Sequence, residues 1–367
     1  MEKINLKEDL YLTIQELSSA YEELSLLYRL SEVLSGLSVE EICEQIIEEA
    51  IDTIGVKTAA VLFLNENGEE IYIKTCRGSW QSDLRFRQDD GVIWNSIKTQ
   101  KPYTFCKLSE TGHSSYLPDV KSLLVCPMIG KRKVLGAIVV ADKEFSEGFY
   151  SNDTKLLSAI AFQAALSIEN AFLYQELEDL LLGMIRSLVK ALEATSTWSA
   201  GHTERVTKYA IGIGKEMGLN EKALEKLMMC SLLHDIGKIG TPKEILDKAG
   251  RLTEEEWIEI SKHPLMGAEI LRDLKQFTDI IEGIKCHHDY WDGSRGLFGL
   301  KGEQIPLLAR ILAVADAFDA MTSDRPYRPR KSKEDTIKEI IESSGRQFDP
   351  QVVEVFLRWV NKFNPLY

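Results

Sequence analysis

The sequence has 367 residues, which is enough for two domains of ordinary size. Its 44% hydrophobic and 28% charged residues are typical of a soluble globular protein, and no run of about 18 apolar residues predicts a membrane-spanning helix. A net charge of −13 argues against binding of nucleic acid polymers, although one pocket can still be locally positive. The first residues lack the apolar segment of a secretory signal, and the six cysteines form no CxxC pair. We therefore expect a cytoplasmic protein with reduced thiols.

Residues 1–35 are predicted to form a helix with a single apolar seam. The seam residues recur with 4-3-4-3-4 spacing and are Leu10, Ile14, Leu17, Tyr21, Leu24 and Tyr28. This a/d pattern favours a short parallel coiled coil, and hence a homodimer. The alternative is an amphipathic helix whose apolar side packs on its own domain.

The next segment combines amphipathic helices with apolar strands that are rich in β-branched residues. Helices are predicted over residues 38–55, 91–98 and 153–178, and strands over 58–64, 70–75, 122–128 and 134–141. Turns at residues 65–68 and 130–133 join these strands pairwise. The order predicts one antiparallel sheet with helices on its faces.

Residues 36–174 resemble a GAF domain. The resemblance is carried by GVIWNSIKTQKPYTF, SLLVCPMIGKRKVLGAIVVADK and FYSNDTKLLSAIAFQAALSIENA. It implies an α+β module that senses a ligand or supports dimerisation. GAF domains that bind cyclic nucleotides share an Asn-Lys…Phe-x3-Asp-Glu pattern. The ligand is left unassigned, because this chain departs from that pattern at the first and last positions of Asp142-Lys143…Phe149-x3-Asp153-Thr154.

A long connecting helix is predicted to follow the sheet, with residues 175–190 as its linker segment. Apolar residues continue along it at Leu166, Leu173, Leu177, Leu180 and Met184. A continuous helix between a sensor and an output domain can transmit a signal. A plain spacer helix needs the same pattern and is the alternative. We expect the linker and the N-terminal helix to hold a homodimer together.

The C-terminal half is predicted to be all-helical and to contain a metal site. Five of the six histidines lie between residues 202 and 288, and an aspartate follows inside an apolar helix over residues 307–321. The candidate ligands are His202, His234, Asp235, His263, His287, His288 and Asp316. Nitrogen and oxygen donors suit Fe, Mn, Zn or Ni. Seven ligands exceed the need of one ion, so we expect two ions that share Asp235. Asp319, one turn after Asp316, is a competing ligand or a partner for a histidine.

Residues 188–356 resemble the HD-GYP branch of the HD phosphohydrolase superfamily. The shared strings are GHTERVTKYA, LLHDIGKIGTPKEIL, SKHPLMGAEIL, HHDYWDG, GLKGEQIPLLARILAVADAFDAMTSDRPYR and GRQFDPQVVEVF. The resemblance implies hydrolysis of cyclic di-GMP to pGpG or GMP with two Fe or Mn ions. One ion would be held by His202, His234, Asp235 and Asp316. Asp235 would also reach the second ion, together with His263, His287 and His288. The fold class that follows is a GAF domain, a long helix and an all-α HD-type domain over residues 191–367.

The resemblance also implies residues that contact the substrate. Lys238 would meet the scissile phosphate and serve catalysis with Asp235, and Arg325 and Arg328 would grip phosphate oxygens, for which a planar guanidinium is suited. The Gly-Tyr-Pro sequence of the family is replaced here by Arg295-Gly296-Leu297. This change affects the identity of the dinucleotide and any contact with a diguanylate cyclase partner. Arg295 is a candidate for a new phosphate or guanine contact.

Three alternatives to cyclic di-GMP hydrolysis stay open from the sequence. The substrate can be another cyclic or linear nucleotide. The domain can be a catalytically silent nucleotide-binding module. It can also be a metal or redox sensor with an oxidisable di-iron site. An intact ligand set favours an enzyme, because a binding module has no need of a complete two-metal clamp.

Overall fold

The computed structural model describes residues 2–78, 80, 84–87, 91–106, 120–144, 148–194, 201–248, 250–324 and 329–362. The chain divides into two compact units, residues 1–179 and 180–367. The first unit is a sheet with helices, and the described part of the second is helical apart from one isolated bridge, Ser344 to Phe348. The predicted fold class is therefore confirmed.

The first unit contains a six-stranded antiparallel sheet with strand order β3-β2-β1-β6-β5-β4. Its elements are α1 (Glu2–Val33), α2 (Val39–Ile54), β1 (Val56–Leu64), β2 (Glu70–Arg77), β3 (Arg85–Arg87), α3 (Val92–Thr99), β4 (Tyr103–Cys106), β5 (Ser122–Ile129), β6 (Val134–Lys143) and α4 (Ser151–Glu193). The sequence predicted four of the six strands. It missed β3 and β4, which have only three and four residues and lie at the sheet edges, where short strands carry little periodic signal.

Both faces of the sheet are covered, which explains why its central strands are apolar without alternation. On one face, buried residues of α1, α2 and α4 pack against β1, β5 and β6. On the other face, α3 and the strands enclose a second apolar cluster that includes Trp80 and Trp94. Helix α2 begins at a capping box, in which Ser38 and Glu41 satisfy each other's backbone N–H groups.

The segment compared with the cyclic-nucleotide pattern joins the end of β6 to the start of α4, and in it Lys143 and Asp153 match the pattern whereas Asp142 departs from it. The Lys143 ammonium contacts both carboxylate oxygens of Asp153 at 2.6 Å. Asp153 also accepts a hydrogen bond from the Tyr150 backbone N–H. Asp142 has a positive φ of 54° and accepts hydrogen bonds from the backbone N–H groups of Lys121 and Ser122. The acidic and basic residues of this segment therefore have structural roles within the domain, and no ligand is needed to explain them.

Helix α4 is one continuous helix of 43 residues that includes residues of both units. By length and composition it contains a window apolar enough to cross a membrane, with a mean hydropathy of 1.5. Half of that window is buried inside the protein. Leu157, Ile160, Ala164 and Ile168 belong to the core on one face of the sheet. Packing against the sheet thus accounts for much of the apolar character of this helix.

The second unit begins within α4 and continues as a bundle of helices. They are α5 (His202–Glu216), α6 (Glu221–Leu233), α7 (Lys243–Leu246), α8 (Glu254–Ile260), α9 (His263–Leu271), α10 (Thr278–Cys286), α11 (Leu307–Thr322), α12 (Lys333–Glu342) and α13 (Pro350–Lys362), with short 3-10 helices at 236–240, 275–277 and 302–304. The apolar faces of α5, α6 and α9 to α13 enclose one large core. Helix α6 ends at Leu233, and the chain then tightens into the 3-10 helix at 236–240.

The packing of β1 against β6 depends on the absence of a side chain at Gly136. A Cβ atom at this position would lie 1.8 Å from the backbone oxygen of Leu62. We expect Gly136→Ala to destabilise the first unit by about 2 kcal/mol or more, because the strands must separate. Gly183 in α4 is the matched control, because an added methyl group at Gly183 would meet no other atom within 4 Å. Gly183→Ala should be neutral or stabilising by up to about 1 kcal/mol.

Thermal unfolding followed by circular dichroism measures both variants under the same conditions. The expected result is a lower unfolding temperature for Gly136→Ala and no decrease for Gly183→Ala. An unchanged unfolding temperature for Gly136→Ala would contradict the described register of β1 and β6.

Candidate metal centre

The seven candidate ligands of the sequence analysis meet in the second unit. They come from helix ends and from one helix interior. His202 and His263 are the first residues of α5 and α9, and His287 and His288 follow the end of α10. Residues His234 and Asp235 lie where α6 passes into the 3-10 helix, and Asp316 lies inside α11. Helix ends allow side chains from distant parts of the sequence to converge on one point.

The ligand atoms form two groups. One group comprises His202, His234 and Asp316, and the other comprises His263, His287 and His288. Within each group the ligand atoms lie within 4.8 Å of one another. Distances of this size leave room for a cation at the centre of each group, with each ligand about 2 Å from it.

The carboxylate of Asp235 lies between the two groups. Its Oδ2 atom is 3.6 Å from His202 Nε2 and 3.4 Å from His234 Nε2. Its Oδ1 atom is 3.4 Å from His263 Nε2. Each oxygen therefore faces a different group, as a ligand shared by two ions requires. Close packing sets this geometry, since a Cβ at Gly237 would lie 2.0 Å from the backbone oxygen of His263.

Three of the histidine rings are oriented by backbone carbonyl groups about one turn earlier in the chain. The Nδ1 atoms of His234, His263 and His287 lie 2.6–2.7 Å from the carbonyl oxygens of the residues three positions earlier. A carbonyl oxygen can only accept, so each Nδ1 carries the proton and donates it. In a neutral ring the Nε2 atom then carries the lone pair, and it is directed at the centre of the site. Ligand histidines in metal sites are commonly oriented in this way.

His202 is oriented by a carboxylate instead. Its Nδ1 atom lies 2.7 Å from Oδ2 of Asp319, which is almost completely buried. The Nε group of Arg205 donates to the other oxygen of Asp319 at 2.6 Å. Asp319 is thus a partner of a ligand, which was one of the two roles considered for it. Asp316, which is half-buried, lies 3.4 Å from His202 Nε2 on the ligand side of the ring.

Charges in the site compensate one another in a buried environment. Burial works against charge on His202, yet hydrogen bonds with Asp235 and Asp319 raise its pKa to about 9. Burial also works against ionisation of Asp235, but His234 and Lys238 hold its pKa well below the usual range. For His287, burial and the neighbouring His234 and His263 lower the pKa to about 3. A neutral His287 has a lone pair available for a cation.

The residues of the site fit a pair of divalent cations. The buried Nε2 atom of His234 has no hydrogen-bond partner among the described residues, and it is aimed at its own ligand group. A buried nitrogen without a partner is costly unless something occupies the position in front of it. The donors are imidazole nitrogens and carboxylate oxygens, which suit Fe, Mn, Zn or Ni.

The two groups open into a cleft with a volume of about 1050 Å³. Lys238 lies on its wall, and its ammonium group contacts Asp235 Oδ2 at 2.6 Å. Arg295 also lines the cleft, whereas Arg325 and Arg328 lie outside the described residues. The volume is at the upper end of the range for small-molecule sites, so the cleft has room for a ligand larger than a mononucleotide.

The sequence analysis missed several residues that line or support this cleft. Arg205 was one of them, although its place one turn after His202 on α5 was a usable signal. Trp257, Arg251 and Lys248 were missed because they lie on a separate segment whose approach to the site no local pattern reveals.

Comparisons with known proteins agree with this architecture. Residues 38–168 match the family model of the GAF domain, and residues 186–352 match that of the HD domain. A 3'3'-cGAMP-specific phosphodiesterase of Vibrio cholerae is 34% identical over 60% of this chain and 42% of the relative. A cyclic di-GMP phosphodiesterase of Thermotoga maritima is 39% identical over 53% of each. The chain thus spans about half the length of the curated relatives it matches.

Among solved structures, a cyclic GMP-AMP specific phosphodiesterase of Vibrio cholerae is similar to this chain. It is 25% identical, the match covers 48% of each chain, and the TM-score is 0.38.

The hydrogen bond between Asp319 and His202 generates a prediction about metal affinity. We expect Asp319→Ala to weaken binding of Mn²⁺ by about 10- to 100-fold, because His202 loses its orientation and Arg205 loses its partner. Asp319→Asn keeps a hydrogen-bond acceptor of the same shape, so its loss of Mn²⁺ affinity should be smaller. Equilibrium dialysis with metal analysis measures both affinities. The control is Asp279→Ala, an exposed aspartate paired with Lys226. Wild-type affinity in Asp319→Ala would contradict this role.

Proposed function

We propose that this chain, which carries a GAF domain followed by an HD domain, hydrolyses a phosphodiester bond of cyclic di-GMP and yields pGpG or GMP. The observation that carries the proposal is the carboxylate of Asp235 between two groups of metal-ligating residues. Two ions about 3.5–4 Å apart are the arrangement that stabilises in-line displacement at phosphorus. The metals are proposed to be Fe or Mn.

The names of the relatives support a cyclic dinucleotide and leave two substrates to compare. The Thermotoga relative is named for cyclic di-GMP, and the Vibrio relative is named for 3'3'-cGAMP. We propose cyclic di-GMP as the main substrate and 3'3'-cGAMP as the competing one. The loop at Arg295-Gly296-Leu297 lines the same cleft and can contribute to this choice.

Each residue of the site has a role in the proposed reaction. Divalent cations held by the two ligand groups would polarise the phosphoryl oxygens and lower the pKa of the attacking water. Asp235 keeps the two groups together, since each of its oxygens faces one of them. The ammonium group of Lys238, beside Asp235, can neutralise the charge that develops on the leaving 3′-oxygen. Phosphate binding by Arg325 and Arg328 stays a prediction from the resemblance.

Hydrolysis of cyclic di-GMP by protein purified without oxygen and loaded with Fe²⁺ or Mn²⁺ tests the proposal. Chromatography separates substrate, pGpG and GMP. We expect product from the wild-type protein and from the control Asp273→Ala, whose side chain is exposed and lies outside the cleft. Asp235→Ala should form no product above background, because both ligand groups lose their shared residue. Turnover of 3'3'-cGAMP but not of cyclic di-GMP would show that the proposed substrate is wrong and that the proposed reaction, phosphodiester hydrolysis, is right.

A catalytically silent binding module is the second candidate function. It would bind cyclic di-GMP tightly and form no product with either metal. A di-iron redox sensor would instead show a spectral change with oxygen that follows its activity. The complete set of ligands, with ring nitrogens oriented for coordination, favours hydrolysis over a binding module, and the spectral measurement distinguishes the redox sensor.

We further propose that the chain forms a homodimer through α1 and α4. All six seam residues of α1 are more than half exposed, from Ile14 at 56% to Tyr28 at 75%. The opposite side of the same helix is fixed to its own unit, because Leu26 and Leu30 are buried in the core. Own-domain packing therefore does not explain the seam. On α4, Leu177, Leu180 and Met184 are also exposed. A second copy would bring identical seams together.

A charge in the seam tests the dimer. We expect Leu17→Glu to lower the dimerisation affinity at least tenfold, because two like charges would face each other in an apolar interface. Gln15→Glu adds the same charge at an exposed position beside the seam and is the control. Sedimentation equilibrium should give twice the chain mass of 41.5 kDa for the wild type and for the control. A wild-type monomer, or an equally stable Leu17→Glu dimer, would contradict the proposal.

The GAF domain is proposed to act as the sensor, and α4 as the element that transmits its state. Support comes from the continuity of α4 from Ser151 to Glu193. Contact with a diguanylate cyclase through the loop after His288, and the cytoplasmic location, stay predictions.

A further inference from the structure

The cleft beside the metal centre is rich in cationic side chains. Those that line it are Lys238, Lys248, Arg251, Lys285 and Arg295. Four carboxylates line the same cleft, those of Glu193, Asp235, Asp289 and Asp316, so its lining is close to neutral in a chain whose net charge is −13. An anionic ligand is then attracted by the cations that have no carboxylate partner. The question is which of these cations are free to bind one.

The three lysines already have carboxylate partners. Lys248 contacts Glu256 at 2.6 Å and Lys285 contacts Glu282 at 2.7 Å. Lys238 forms an ion pair with Asp235. In the part of the chain that the structure describes, neither Arg251 nor Arg295 has an ion pair. Both guanidinium groups therefore keep their hydrogen-bond donors available to a ligand.

Arg295 is held in place without the use of its donors. The carbon of its guanidinium group lies 5.0 Å from the ring centroid of Trp257 and 5.7 Å from that of Tyr290. Stacking against an aromatic ring orients the planar guanidinium and leaves its N–H groups free at the edge. Both aromatic residues line the cleft. The contact thus presents an oriented pair of donors on the cleft wall.

The loop that carries Arg295 is fixed to the buried residue Asp289. The backbone N–H of Leu297 donates to Asp289 Oδ1 at 3.2 Å, and the backbone oxygen of Arg295 accepts from Tyr290 N–H at 2.7 Å. A Cβ at Gly296 would lie 2.7 Å from the carboxyl carbon of Asp289. Glycine at this position therefore allows the close approach that sets the position of Arg295.

We propose that Arg295, assisted by Arg251, binds the second phosphate of the cyclic dinucleotide, the one that is not cleaved. This inference rests on the proposed function. A cyclic dinucleotide has two phosphodiesters on opposite sides of its ring, and only one can lie at the metal centre. The other would be a costly charge inside the cleft unless a cation meets it. A planar arginine suits two oxygens of one phosphate.

Steady-state kinetics with two substrates test the proposal. Cyclic di-GMP has a second phosphate, whereas bis(p-nitrophenyl) phosphate has one phosphodiester and nothing beyond it. We expect Arg295→Ala to raise the KM for cyclic di-GMP about tenfold or more, the effect of losing one charged hydrogen-bonding partner. The change in kcat/KM for bis(p-nitrophenyl) phosphate should be less than about threefold, because this substrate has no second phosphate for Arg295 to bind.

Three further variants identify the cause of any change. Arg295→Lys keeps the charge but loses the planar fork, so it should recover only part of the affinity. Gly296→Ala leaves the guanidinium intact but displaces the loop from Asp289, and it should raise the same KM. Arg272→Ala removes an exposed arginine outside the cleft and should behave as the wild type.

Several results would overturn the proposal. An unchanged KM for cyclic di-GMP in Arg295→Ala is one, and an equal loss with both substrates is another. A third contradicting result is a loss of the preference for cyclic di-GMP over cyclic di-AMP in Arg295→Ala, because it would show that Arg295 contacts the guanine base instead of the phosphate. If the wild type forms no product, the proposed function fails by itself. The dissociation constant of cyclic di-GMP, measured by calorimetry for wild type and Arg295→Ala, then still decides the inference.

Discussion

The second unit depends on one shared carboxylate, that of Asp235. Its two oxygens face two groups of ligands that come from four separate helix ends and one helix interior. A buried aspartate with so many neighbours is stable only because His234, Lys238 and His202 lower its pKa against the effect of burial. The helix ends must therefore converge to within a few ångströms, and the close contact of Gly237 with the first turn of α9 is one device that achieves this.

Of the five histidine rings in the site, three are aligned by backbone carbonyl groups and that of His202 is aligned by Asp319. In these four rings the Nδ1 atom is thus held by an acceptor before any cation binds. Such orientation reduces the rearrangement needed on binding. In the proposed function, the helix ends that carry the ligands serve hydrolysis, and the loop at 295–297 contributes to the choice of substrate.

Much of the fold and the metal-binding pattern could be predicted from the sequence, for different physical reasons. The helices and the long strands have clear periodicity, whereas β3 and β4 are too short to show any. The seven candidate ligand positions stood out because histidine and aspartate are rare in apolar helical sequence. Their division into two groups is a matter of tertiary packing. So is the stacking of Arg295 on Trp257, which joins segments that no local pattern connects.

The most direct test of the central claim is the location of metal ions by anomalous diffraction from crystals loaded with Mn²⁺. Two anomalous peaks are expected, one at each ligand group, both within coordination distance of Asp235. Their separation should be about 3.5–4 Å. A single peak, or two peaks of which only one contacts Asp235, would contradict the shared-carboxylate arrangement on which the proposed hydrolysis depends.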